Sequence, residues 1–233
     1  MQSILHKCAL SLCFASALSC SIASAQSHEA APPTVPPTTS GVCTLRPHQQ
    51  LSPPPVDFRL RAVCLVQTNF SLGSIITPAF SAAYKMANPP DRYPREWRNG
   101  AEAFGRNYGD HLARSTASGL GHFAFATLDR EDPRYYASTN PKFANRVTHA
   151  LVFTFIDKTQ SGHNTLALSN FAGAASSGFV GMAYLPSGYD DVTHAYQHAA
   201  TGMISFGVQN LAAEFYPEIA RVARKMHLPY PRR

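Results

Sequence analysis

Every fourth residue from Ala101 to Gly121 is small: Ala101, Gly105, Gly109, Ala113, Ala117 and Gly121. On an α-helix this spacing makes a bare ridge along which a second backbone can approach closely. Glycine inside a helix costs roughly 1 kcal/mol relative to alanine. Gly105, Gly109, Gly119 and Gly121 together therefore need tight packing to offset about 4 kcal/mol. The same spacing recurs at Ser169, Gly173, Ser177 and Gly181. These ridges predict an all-α chain organised by close helix–helix contact.

Residues 1–25 read as an export signal. Lys7 supplies the positive start, Cys8 to Leu18 a short apolar run, and Ala23-Ser24-Ala25 the small-x-small pattern before Gln26. The run is too short for a comfortable membrane span. An exported protein of the periplasm or outer cell envelope is the expectation. Residues 26–42 contain Pro32, Pro33, Pro36 and Pro37 and read as an extended, disordered linker. With the leader removed, Cys43 and Cys64 are the remaining cysteines, and in an exported chain they predict a disulfide. Closing that loop contributes about 3 kcal/mol in the chain-entropy account. Residues 43–70 are expected to be irregular, with Val63 to Val66 as a short strand.

From residue 71 onward helical signals dominate. The pattern predicts helices over Ser71–Met86, Trp97–Leu128, Lys142–Ile156, Leu166–Leu185 and Val192–Tyr216, with a short basic helix through Lys225. Residues 71–227 thus form a single bundle of about five helices with glycine-zipper-like packing, followed by a basic tail at 228–233. Gly105, Gly109, Ala113, Ala117, Gly121, Gly173, Ser177 and Gly181 are the expected packing positions. Glu102, Arg106, Asp110 and Arg114 alternate in sign at i,i+4 and predict a hydrated face. Leu166 to Leu185 carries no charge over the length of a bilayer span, yet Ser169, Asn170, Ser176 and Ser177 make it weakly apolar.

The best metal candidate is Asp190, His194 and His198. The two histidines lie one helical turn apart, so both imidazoles can face one ion, with the carboxylate as a third ligand. The competing reading is an acidic first turn favoured by the helix dipole, followed by surface histidines. Glu131, Asp132 and Arg134 form a possible polar site, since paired carboxylates can act as general acid and base; the same residues also suit helix capping and ion pairing. Ser176-Ser177 lacks the strand–turn–helix setting of a nucleophile elbow. No catalytic residue and no cofactor is indicated.

The blocks Trp97 to Gly109, Glu131-Asp132-Pro133-Arg134-Tyr135-Tyr136, Asn170-Phe171-Ala172-Gly173 and Tyr184-Leu185-Pro186 resemble uncharacterised exported proteins of soil bacteria. The resemblance spans roughly residues 70–216. It implies one helical domain and carries over no activity.

The leading expectation is a non-enzymatic cell-envelope module that associates with an anionic membrane surface or an envelope protein. The basic end at Arg221, Arg224, Lys225, Arg232 and Arg233 supports it. Nucleic acid is excluded as a partner by export and by the even charge balance. Two alternatives stand beside it: an envelope hydrolase or metal-dependent enzyme, and an integral helical membrane protein.

Overall fold

Small and apolar residues at helical spacing, punctuated by prolines and charged turns, produce a mostly helical chain. The computed structural model describes residues 43–69, 71–91 and 93–226. The expected leader, the Pro-rich linker and the tail at 228–233 lie outside the described residues. The elements in chain order are β1 (Thr44–Leu45), α1 (Phe58–Asn69), α2 (Leu72–Ala87), α3 (Ala101–Leu128), β2 (Tyr135–Tyr136), α4 (Phe143–Val152), β3 (Ile156–Lys158), β4 (Asn164–Leu166), α5 (Leu168–Phe179), α6 (Val192–Glu214) and α7 (Tyr216–Lys225).

Local chemistry sets the boundaries. Ser71 caps α2 by accepting from Ser74 N, and Asn88-Pro89-Pro90 stops it. Asp191 caps α6 by accepting from His194 N at 2.9 Å. The N-terminus of α5 has no cap of its own; Glu131, distant in sequence, accepts from Leu168 N at 2.9 Å instead. Pro217 occupies the first turn of α7, where its missing N–H costs nothing.

The long α3 is the spine. It packs most extensively on α5, which packs in turn on α6, while α1 and α2 lie along another side of α3. Phe58 at the start of α1 meets Phe123 near the end of α3, and Lys85 near the end of α2 meets Asp110 near its start. The α1–α2 run is therefore antiparallel to α3. Two small β pairings tie the lower end together: β1 with β2 in parallel, and the β3–β4 hairpin.

Residues 58–69 correct the expectation of irregular structure and a strand at 63–66. They form a helix that turns Arg61, Cys64 and Asn69 inward. The Cys43–Cys64 disulfide is present, with Cα atoms 5.6 Å apart, and fastens β1 to α1.

The glycine ridge is also corrected in part. Gly105 and Gly109 face outward, and a Cβ at either would meet nothing within 4 Å. A row of residues four apart drifts about 40° around the helix at each step. The ridge therefore starts outside and turns inward only toward Gly121, where an added Cβ would overlap Ser176 and the Ala172 carbonyl. Gly173 sits against the Ser118 carbonyl, Gly178 against the Ala195 carbonyl and Gly181 against the Arg114 guanidinium. Close approach is thus concentrated where α5 is gripped between α3 and α6.

The same drift corrects the charged ladder. Glu102 and Arg106 pair at the surface, but Asp110 and Arg114 are buried.

These contacts predict opposite effects for two formally identical substitutions. Gly109→Ala should raise stability by about 1 kcal/mol through helix propensity alone. Gly178→Ala should lower it by at least about 1 kcal/mol, because backbone must move. Thermal unfolding of the two variants beside the parent checks both signs.

Candidate functional site

The distribution of side chains is the reverse of that in an ordinary water-soluble domain. Among the described residues no Ile, Val, Phe or Met is buried, and the buried apolar set is mostly alanine. The largest fully enclosed side chains are Glu131, Glu214 and Asp132. Arg61, Asp110, Arg114 and Arg134 are buried with them. Outward-facing positions instead carry Ile75, Ile76 and Phe80 on α2, Leu120 and Phe125 on α3, Phe171 and Phe179 on α5, and Ile204 and Val208 on α6.

Helix α5 shows the inversion most clearly. Its buried positions are Ser169, Asn170, Gly173, Ala174 and Gly178, whereas Leu168, Phe171, Ala175 and Phe179 point out. Fully burying one large apolar side chain is worth about 1.5–3 kcal/mol in water. Charges enclosed in protein cost several kcal/mol each unless they are paired. Asp110, Arg114, Asp132, Arg134 and Glu214 have ion-pair partners, whereas Arg61 and Glu131 bond to backbone groups.

At the first end, near the start of α3, Asp110 Oδ1 accepts from Arg114 Nε at 2.8 Å and from Tyr184 OH at 2.7 Å. Lys85 Nζ approaches Asp110 Oδ2 at 3.4 Å. Arg114 Nη1 reaches across to the Ser177 carbonyl of α5 at 2.9 Å, satisfying the end of that helix. Nearby, Asn107 accepts from Tyr93 OH at 2.8 Å and donates to the Trp97 carbonyl at 2.8 Å. Tyr93, Trp97 and Leu185 pack together there, with Tyr189 against them.

At the second end, the predicted polar residues Glu131, Asp132 and Arg134 are adjacent and buried, and their bonds are structural. Glu131 accepts from Leu168 N and Ser169 N, so its charge sits at the positive end of α5. Burial raises its carboxyl above the ordinary value. Asp132 Oδ2 accepts from Arg134 Nη2 and Tyr136 OH, both at 2.6 Å, and Arg134 Nη1 donates to the Pro54 carbonyl. Neither carboxylate faces open space. Arg61 Nη1 donates to the Ala126 carbonyl at 2.6 Å and so closes the end of α3.

A third buried acid at this end was not legible in the sequence. Glu214 accepts from Tyr135 OH at 3.0 Å, Ser138 N at 2.9 Å and Arg146 Nε at 2.8 Å. Arg146 also binds Glu218 at 2.7 Å and lies over the Phe215 ring. Its hydrogen bond holds Glu218 below the usual carboxylate range. Burial, followed by the neighbouring Glu214 charge, pushes the Tyr135 phenol upward. A glutamate preceding two aromatics gives no warning that Arg146 folds over it from α4.

The candidate metal triad does not come together. His194 Nδ1 lies 3.0 Å from both oxygens of Asp191, the helix cap, while Asp190 Oδ1 accepts from Gly188 N. Burial, followed by the Arg114 charge, holds the His198 imidazole down at about 4. Among the described residues no group of three or more His, Cys, Asp or Glu side chains is arranged to hold a metal ion.

Comparison with protein-family models, curated proteins and solved structures finds no match.

Asp157 supplies a pH prediction. Burial, with Glu131 and Asp132 close by, holds its carboxyl well above the ordinary range. A carboxyl raised in the folded state binds its proton more tightly there than in the unfolded chain. Its contribution is complete below about pH 4 and is lost as pH rises through the raised value. Asp157→Asn should therefore be more stable than the parent at neutral pH, with a flatter stability profile from pH 4 upward. Melting curves across that range measure the difference.

Proposed function

We propose that this chain is an exported, membrane-embedded helical module of the cell envelope, acting through its surfaces and its two polar ends. The observation that carries the reading is the inverted side-chain distribution: paired charges inside, large apolar residues outside. In water that arrangement forfeits burial energy on the exterior and incurs desolvation in the interior. Against lipid tails the exterior term disappears, and polar residues are expected to turn inward.

Helix lengths and the placement of charges support the reading. Residues 62–84, 115–128, 159–189 and 192–213 contain no Asp, Glu, Lys or Arg. Helix α6 has 23 residues and is about 34 Å long at 1.5 Å per residue, against a hydrocarbon thickness of about 30 Å. On α3 the exposed Glu102 and the half-buried Arg106 sit in the first two turns, and Asp129 and Arg130 follow its last residue.

The aromatic residues follow the same division. Tyr84, Tyr93, Trp97, Tyr108, Tyr184, Tyr189 and Tyr196 belong to the first end; Tyr135, Tyr136 and Tyr216 belong to the second. Such belts mark the two interfaces of a bilayer.

Among the described residues one helical run, 58–87, is long and apolar enough to cross a membrane by composition alone. Three outward hydroxyls are tied back onto their own helices: Thr127 to the Phe123 carbonyl, Thr201 to Gln197 and Ser205 to Thr201. This internal bonding suits a solvent that offers no partners.

Alkaline carbonate extraction of membranes from cells making the full chain tests the proposal. The protein should remain in the pellet and enter solution only with detergent. Release into the carbonate supernatant would sink the embedded reading and favour a peripheral or water-soluble assembly.

A further inference from the structure

The second polar end carries a groove of about 330 Å³ lined by Arg46, Tyr216, Pro217, Ala220, Arg221 and Arg224. Among the described residues no carboxylate lines it. The nearest acids on the same stretch of chain are committed elsewhere. Glu214 is enclosed by Tyr135, Ser138 and Arg146, and both oxygens of Glu218 face Arg146, at 2.7 and 3.4 Å. Arg221 adds only a longer-range attraction to Glu218.

Arg221 and Arg224 lie three residues apart on α7, so their guanidinium groups share one face. Arg46 approaches from the β1 side, held by its Nη1 bond to the Glu214 carbonyl at 3.3 Å. A planar guanidinium offers paired N–H donors that match two oxygens of a phosphate. Another face of the same short helix presents Ile219, Val222 and Met226 outward. Guanidinium groups on one face of a helix and apolar side chains on another suit a helix lying in a membrane interface.

We infer that this groove binds the phosphate of an anionic lipid headgroup, with Arg221 and Arg224 as its principal contacts and Ile219, Val222 and Met226 against the acyl region. The lipid source of the phosphate rests on the bilayer reading above; the phosphate chemistry of the groove does not.

The test uses the full chain reconstituted in phosphatidylcholine nanodiscs containing increasing phosphatidylglycerol, with native mass spectrometry reporting which lipid is retained. The parent should retain phosphatidylglycerol preferentially. Near an anionic surface each Arg is worth roughly a fivefold preference, so Arg221→Gln with Arg224→Gln should reduce it roughly thirtyfold. Both residues are exposed, and an unchanged melting temperature confirms that the fold survives. Arg221→Lys with Arg224→Lys should keep charge but lose the paired geometry, giving an intermediate preference.

Equal retention of the two lipids by the parent, or an unchanged preference in the Gln variant, overturns the inference. Displacement of the lipid preference by millimolar inorganic phosphate, with phosphate retained in its place, overturns the lipid assignment and leaves a site for free phosphate. A protein released by carbonate that still binds phosphatidylglycerol vesicles through Arg221 and Arg224 would uphold the groove while refuting embedding. Carbonate resistance without lipid preference would do the reverse.

Discussion

The fold depends on charges being paired where water is excluded. Asp110 with Arg114, Asp132 with Arg134 and Glu214 with Arg146 are the three ion pairs around which the helices close. Removing one partner of such a pair costs about 3–5 kcal/mol, because the other is left enclosed and unmatched. Two of the pairs also satisfy backbone groups that helix ends leave open, and in the third Arg134 donates to the Pro54 carbonyl. Arg114 takes the end of α5, Arg146 takes the Glu214 carbonyl at the end of α6, and Arg61, beside the acidic cluster, takes the end of α3. Electrostatics and helix termination are thus handled by the same side chains.

Enclosing long polar side chains between helices constrains the residues around them. Where an arginine crosses from α3 to α5, the facing position must be nearly bare, and Gly181 is that position. Where no arginine intervenes, Gly121, Gly173 and Gly178 let backbone meet backbone. Large apolar residues have no room inside and are displaced to the exterior. The outward Phe, Ile and Leu therefore follow from the interior chemistry.

Much of the helical framework was legible from the chain. Asn88-Pro89-Pro90 ends α2, Asp191 starts α6 and Pro217 opens α7 close to where spacing and punctuation put them. Cys43 and Cys64 paired as expected. What stayed hidden depends on angle rather than spacing. Glu102 and Asp110 are eight residues apart, and roughly 80° of rotation separates a surface pair from a buried one. The helix at 58–69 was obscured by the prolines before it and by the short apolar run Val63-Cys64-Leu65-Val66 at its centre. The β3–β4 hairpin is too short for a period to show. Asp191 lies beside Asp190, so spacing alone could not reveal which carboxylate the cap would place against His194. Most of all, composition cannot distinguish polar residues facing in from polar residues facing out.

The central claim is that lipid touches the middle of the molecule, and one position addresses it directly. Ile204 lies near the midpoint of α6 and is 66% exposed. A single Ile204→Trp substitution, with the native Trp97 changed to Phe to silence it, gives one emitter at that depth. In vesicles whose acyl chains carry bromine near the bilayer centre, its fluorescence should be strongly quenched and aqueous acrylamide should have little effect. Bright emission in brominated lipid together with free quenching by acrylamide would place Ile204 in water and contradict the account.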